Sequence, residues 1–219
     1  LLERMRGSGL AKTLPSLCSA CSRYKLAYVD LRRGGEALPR YVAELEPTII
    51  VVEGDANDAA EILASALLER DAYARVGIHS LTFVDPGGPT QFHLNSLRAI
   101  SKIPGDIISL EHAHLFARVV DQWSNHPRGS TRAKTAARIY EASGLPPEWL
   151  LREPVARRAE LYLESRRRAI EEAEIAFLRE RRWAIAIPLR TAKGEYYLLY
   201  STRRSIYEEY RRGGDGHAA

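Results

Sequence analysis

The sequence predicts an α/β fold, a Rossmann-like, doubly wound and mainly parallel sheet with a C-terminal antiparallel β-hairpin. Three observations predict it. Strand-like and helix-like segments alternate four times along the chain, as they do in βαβ units. The segment 48–52 is apolar on both faces, which is typical of a strand inside a parallel sheet. Two apolar runs, 183–190 and 195–201, flank a short turn that contains Gly194, and this pattern indicates a hairpin.

Each element follows from its apolar spacing and from the turn residues that bound it. Asn57 or Asp58 is expected to cap the helix that follows the second strand. In chain order the predicted elements are a strand at 26–31, a helix at 36–45, a strand at 48–52, a helix after 57, a strand at 78–84, a helix at 90–101, a strand at 106–110, helices at 112–123, 131–142 and 154–178, and the two strands of the hairpin.

The 219 residues suffice for one well-cored domain, and 45% hydrophobic and 27% charged residues are ordinary for a globular protein. We expect a single domain over 23–212 with a helical insert at about 131–178. A basic segment at 1–22 is expected to be flexible, and a tail at 213–219 to be disordered, because neither has much to bury.

The net charge, the two cysteines and the lengths of the apolar runs limit which classes of function the sequence allows. A net charge of +4 permits an anionic partner such as nucleic acid but does not require one. Cys18 and Cys21 form a C-x-x-C pair with no second pair, so we expect no closed zinc site, and the histidines are interpreted as structural. No apolar run has the length of a membrane span, and 1–17 lacks the core of a signal peptide, so a cytoplasmic location is expected.

Candidate binding residues follow the first two predicted strands, where open α/β sheets hold their ligands. Asp30 ends the first strand, and Gly34 and Gly35 follow it; glycines there allow a backbone to approach a ligand closely, although a Gly pair is also an ordinary turn. Glu53 and Asp55 follow the second strand. Either carboxylate can accept hydrogen bonds from ribose hydroxyls, or can cap the next helix.

The third predicted strand ends at Asp85, which precedes Pro86 and two glycines. A carboxylate on the extended backbone before a proline can orient an amine or a hydroxyl, or act as a base if burial raises its pKa. The same segment also fits a rigid loop. The run 166–168 consists of three arginines, which can bind phosphates, but acidic residues one turn away favour a salt-bridged surface.

Four segments, in this order, resemble the three-Cys-motif partner proteins, a prokaryotic family of class I methyltransferase-like proteins. Residues 28–31 with Gly34 resemble that family's first strand and its D-x-F-A-G-x-G loop, and 82–88 resembles its F-x-D-P-[FY]-G segment. Residues 144–149 are similar to its G-x-x-x-W stretch, and 187–202 to its terminal hairpin. The resemblance covers most of the chain from Lys25 to Arg212.

The resemblance implies an S-adenosylmethionine-dependent methyltransferase-like protein whose methyl acceptor is unknown. Asp30, Gly34 and Gly35 would then line the methionine end of the cofactor, and Glu53 or Asp55 would hold the ribose. Asp85 and Pro86 would form the catalytic segment beside the methyl acceptor.

One departure from the family's pattern keeps an alternative open. Arg32 and Arg33 stand where the family has Phe-Ala, which favours an anionic ligand or the loss of the cofactor site. The alternative is a non-catalytic Rossmann-like module that binds nucleic acid or a protein partner through an Arg-rich surface.

Overall fold

A computed structural model describes residues 27–30, 50–53, 55–68, 80–191 and 194–214. The chain divides into two compact units, Leu1–Ala59 and Ala60–Ala219, and each is described by itself. The single domain expected over 23–212 stays a prediction. The segment 1–22, with both cysteines, lies outside the described residues.

The first unit contains a parallel pair of strands, β1 (Ala27–Asp30) and β2 (Ile50–Glu53). Helix α1 (Ala56–Leu67) follows β2 directly. Its cap is Asp55, whose Oδ1 accepts hydrogen bonds from the backbone N–H of Asn57 at 2.8 Å and from the Asn57 side chain at 2.9 Å. The prediction that Asn57 or Asp58 caps this helix was wrong, because the carboxylate that bonds a first-turn amide comes earlier in the chain.

The described part of the second unit contains four longer strands, one two-residue strand and six helices besides the end of α1. They are β3 (Ser80–Val84), α2 (Leu94–Ser101), β4 (Gly105–Glu111), α3 (Ala113–Asn125), α4 (Ser130–Ser143), α5 (Pro147–Leu150), α6 (Val155–Glu171), β5 (Glu174–Ile175), β6 (Glu180–Thr191), β7 (Gly194–Arg203) and α7 (Arg204–Gly214). Helix α7 includes Gly213 and Gly214, which the sequence assigns to the tail.

These strands form a five-stranded sheet in the order β3-β4-β7-β6-β5. Only β3 and β4 pair in parallel, whereas β4–β7, β7–β6 and β6–β5 are antiparallel. The predicted mainly parallel, doubly wound Rossmann sheet is therefore wrong. The two last long strands do pair as an antiparallel hairpin, but β7 lies between β4 and β6, so the hairpin is part of the middle of a mixed sheet.

Burial alternates along these strands, as expected where one face of a sheet is covered and the other is open. In β4 every second residue is buried, from Gly105 to Glu111. In β3, Leu81 and Phe83 are 56% and 46% exposed, while Val84 is buried. Helix α6 contacts α2, α3 and β6, and the rings of Phe116 and Tyr162 stack with centroids 4.3 Å apart.

A buried arginine joins the sheet to the end of α2. Arg182 of β6 donates from Nε to the carbonyl of Ser101 at 2.6 Å and from Nη1 to Gly105 at 2.7 Å, and its Nη2 donates to Ile103. Gly105 adopts φ +133°, and a Cβ there would lie 1.9 Å from the carbonyl oxygen of Ser80. Glycine and Arg182 together let the chain turn sharply from α2 into β4.

Candidate functional site at the carboxyl edge of β3 and β4

Because β3 and β4 are parallel, the segments that follow them leave the sheet at one edge. Val84 pairs with Ser109 in the register of these strands, so the segment 85–93 and the β4–α3 junction begin close together. The antiparallel strand β7 starts at the same edge, with Tyr197 opposite Glu111. Three segments remote in sequence therefore meet here.

Asp85 shapes the loop that carries it. Its Oδ1 accepts the backbone N–H of Gly87 at 3.3 Å, and Gly87 takes the left-handed φ of +66°. This is a carboxylate-stabilised turn of the kind that aspartate commonly forms. Pro86 lies inside it and restricts the backbone of Asp85 to extended conformations. The rigid-loop interpretation of this segment therefore has direct support.

A buried polar network lies behind that loop. Glu111, at the end of β4, is fully buried, and its Oε2 lies 2.7 Å from Nε of the fully buried Arg166. Tyr162 donates its hydroxyl to the same carboxylate oxygen at 2.8 Å, and Ser109 donates to Oε1 at 2.7 Å. Glu111 thus has an ion-pair partner and accepts a hydrogen bond on each oxygen, which offsets the cost of burying a carboxylate.

The network also holds the loop. Arg166 donates from Nη1 to the carbonyl of Phe92 at 3.0 Å and to that of Ala142 at 3.2 Å. The Tyr162 hydroxyl lies 3.3 Å from the carbonyl oxygen of Pro89.

The prediction that Arg166 belongs to a salt-bridged surface was therefore wrong. Its neighbour Arg167 does form the i,i+4 pair with Glu171, at 2.8 Å.

The alkaline stability of the protein should depend on Tyr162. Burial, assisted by the negative charge of Glu111, raises the pKa of Tyr162 well above its usual range, although Arg166 opposes the rise. An unfolded tyrosine loses its proton near pH 10, while the folded one keeps it. Above about pH 10 the folded state therefore binds one more proton, and this residue lowers the free energy of unfolding by about 1.4 kcal/mol per pH unit.

Urea unfolding of the wild type and of Tyr162→Phe at a series of pH values measures this contribution. We expect the variant to be less stable at neutral pH, because it lacks the hydroxyl bonds, and the difference to shrink as the pH rises above about 10. Parallel stability curves for the two proteins across that range would contradict the assignment.

A second polar cluster lies at the start of α3 and is partly exposed. The Oε2 atom of Glu195 lies 3.0 Å from Nε2 of His114, and the Tyr197 hydroxyl lies 3.4 Å from the same nitrogen. Burial, with the charge of Glu195 in second place, raises the pKa of Tyr197. A histidine held by a carboxylate has the chemistry of a general acid or base.

His112 completes this cluster. Its ring contacts Tyr196 edge-on with centroids 5.2 Å apart, and its Nε2 is buried with no hydrogen-bond partner among the described residues. The sequence interpretation of these histidines as structural did not include Glu195. The partners lie more than 80 residues apart, and only the β4–β7 register brings them together.

The remaining predicted site residues belong to the first unit. Asp30 and Glu53 are directly opposite each other in the parallel register of β1 and β2. Both therefore stand at the carboxyl ends of their strands, as expected. Asp55 is exposed and caps α1, which agrees with the alternative role considered for it. Gly34 and Gly35 lie outside the described residues, as do Arg32 and Arg33.

Among the described residues, neither a metal-binding cluster nor a membrane-spanning helix is found. None of their histidine, cysteine, aspartate and glutamate side chains form a group of three or more suited to a metal ion. No helix among them has the length and apolar character needed to cross a membrane.

Comparisons with protein-family models, with curated proteins and with solved structures return no match for this chain.

Proposed function

We propose that the protein binds S-adenosylmethionine and acts as a methyltransferase-like protein on an acceptor still to be identified. The observation that carries the proposal is the register of β1 and β2, in which Asp30 and Glu53 are direct neighbours at the strand ends. Adenosine-containing ligands bind at such ends, where an acidic residue accepts hydrogen bonds from both ribose hydroxyls. An aspartate and a glutamate at paired strand ends are residue types that suit a ligand with a ribose and an amino group.

The described contacts indicate which of the two candidates, Glu53 or Asp55, is better suited to hold the ribose. Asp55 already bonds two nitrogen atoms of Asn57 as the cap of α1. Glu53 is therefore the better candidate for the ribose, and Asp30 for the cationic amino group. When bound, the cofactor supplies an activated methyl group. The protein's contribution is to position that group, which lowers the entropic part of the barrier.

Asp85 and Pro86 are proposed for the acceptor side. The turn that Asp85 forms with Gly87 leaves a carboxylate on a stiff segment, held from behind by Tyr162 and Arg166. A carboxylate in such a loop can orient a hydroxyl or amine that receives the methyl group. A cytoplasmic location is part of this proposal.

Calorimetric titration and thermal unfolding with S-adenosylmethionine and S-adenosylhomocysteine test the proposal. At a hundred times its dissociation constant, a bound ligand stabilises the fold by about 2.7 kcal/mol. We expect Glu53→Gln to weaken binding about tenfold, because a hydrogen bond to a charged group is lost. Asp55→Asn is the matched control, since asparagine also caps helices well and should leave affinity unchanged.

Two results would contradict the proposal. One is a wild-type protein that binds neither compound. The other is an Asp55→Asn variant that loses as much affinity as Glu53→Gln, because the effect would then come from a general loss of negative charge.

A further inference from the structure

One stretch of the chain carries positive charge without any acidic residue. From Gln122 to Tyr140 the sequence contains no aspartate or glutamate, although it has four arginine and lysine residues. Three of them, Arg128, Lys134 and Arg138, are exposed. We call these three residues the α4 surface.

Six other arginines of the described part are neutralised by acidic side chains. Ion pairs join Arg157 to Glu160, Arg158 to Asp121, Arg166 to Glu111, Arg167 to Glu171, Arg190 to Glu195 and Arg204 to Glu208. Within the described residues no ion pair involves a member of the α4 surface. The one acidic residue of α4, Glu141, lies 3.4 Å from Nε2 of His93. The α4 surface therefore keeps its full charge.

The fourth basic residue of this stretch, Arg132, makes contacts that order the loop in which Arg128 lies. Its guanidinium lies over the ring of Trp123, 4.7 Å from the centroid, and its Nη1 donates to the carbonyl of His126 at 3.2 Å. The Trp123 indole donates in return to the Arg132 carbonyl at 3.0 Å. These contacts fix the loop that carries Arg128 against the first turn of α4. Lys134 and Arg138 follow at i,i+4 spacing on one side of the helix.

We propose that the α4 surface binds the phosphate backbone of nucleic acid. Exposed cations without ion pairs, on a helix and on the ordered loop before it, complement a chain of phosphates. The exposed side chains among these cations are Ser130, Thr131, Ala133 and Ala137. They are small or can bond phosphate oxygens, so a backbone can approach closely. Tyr140, two residues after Arg138, is 54% exposed, so an acidic protein is the competing occupant that the test below includes.

In this proposal the α4 surface recognises the charge of the phosphates and does not read the bases. Binding should therefore be independent of sequence and should weaken steeply with salt. The inference involves none of the residues proposed to bind S-adenosylmethionine, and it stands or falls without them.

Fluorescence anisotropy with labelled oligonucleotides, duplex and single-stranded, tests the inference on the full chain. The test variant carries Arg128→Gln, Lys134→Gln and Arg138→Gln. The control carries Arg98→Gln, Arg168→Gln and Arg211→Gln, which removes the same charge from exposed positions on α2, α6 and α7. Circular dichroism and thermal unfolding verify that both variants fold.

We expect the test variant to bind at least about tenfold more weakly than the wild type at 0.1 M salt, with a salt slope smaller by about 2–3 on duplex DNA. The control should stay within about twofold of the wild type. The inference is overturned if the wild type does not bind, if the control loses as much affinity as the test variant, or if one sequence is strongly preferred. Tighter binding of polyglutamate than of the oligonucleotides would also overturn it, in favour of an acidic protein.

Discussion

Glu111→Ala is expected to lower the free energy of unfolding by about 3–5 kcal/mol, the usual cost of removing one partner of a buried ion pair. The substitution leaves the guanidinium of Arg166 without its carboxylate in a fully buried position, and it also takes the acceptor from Tyr162 and Ser109. Urea unfolding followed by circular dichroism measures the change.

Two further variants distinguish the loss of the buried network from a general effect of removing a negative charge. Glu208→Gln removes an exposed i,i+4 partner of Arg204 and should cost at most about 0.5 kcal/mol. The double variant Glu111→Gln with Arg166→Met should be more stable than Glu111→Ala, because it leaves no unpaired buried charge. Equal losses for Glu111→Ala and Glu208→Gln would show that Glu111 is not in a buried network.

The second large effect is expected for Arg182→Ala. Three backbone carbonyls, of Ser101, Ile103 and Gly105, accept hydrogen bonds from this one side chain. Burial lowers the pKa of Arg182 to about 10, so the residue is still charged at neutral pH. Each acceptor left without a partner costs about 1–3 kcal/mol, so we expect a loss of about 3 kcal/mol or more in chemical unfolding.

Arg181→Ala is the matched control, because Arg181 is exposed and adjacent in the same strand. We expect it to change stability little. Arg182→Lys should recover only part of the loss, since an ammonium group cannot reproduce the planar fork of donors. Full stability of Arg182→Ala would contradict the role assigned to this residue.

Local patterns in the sequence predicted the strands and helices better than their arrangement. The apolar run at 106–110 corresponds to β4, and the helical spacing at 112–123 to α3. The helix expected at 154–178 ends earlier, at Glu171, because the chain turns into β5.

The sheet order was not predictable in this way. Alternation of strands and helices suggests parallel pairing, but it does not indicate where in the sheet the last strand lies. Strand β7 pairs with β4 through contacts such as Leu110 opposite Leu198, almost 90 residues apart. That pairing makes the sheet mixed. The exposed alternate residues of β3, Leu81 and Phe83, are also typical of a sheet with one open face.

The buried arginines were missed for a related reason. A run of three arginines suggests a charged surface, yet the neutralising partner of Arg166 lies 55 residues earlier. One signal was present in the sequence. Ala159, Tyr162, Arg166 and Ala169 follow the i,i+3,i+7,i+10 spacing of a buried helix face, so Arg166 stands where an apolar side chain is expected.

The strand-end carboxylates were identified from the sequence because their position depends on local pattern alone. Asp30 and Glu53 each end a β-branched or apolar run, and parallel pairing then brings them together. His114 and Glu195 had no such signal, since neither residue type nor spacing links them.

An NMR titration of 15N-labelled protein with S-adenosylmethionine shows whether the ends of β1 and β2 bind the cofactor. We expect the largest amide shifts at Asp30, Glu53 and their neighbours along β1 and β2, and in Glu53→Gln the same shifts should need about ten times more cofactor. Saturating cofactor that leaves these amides unchanged, or that shifts only the first turn of α4, would contradict the proposal.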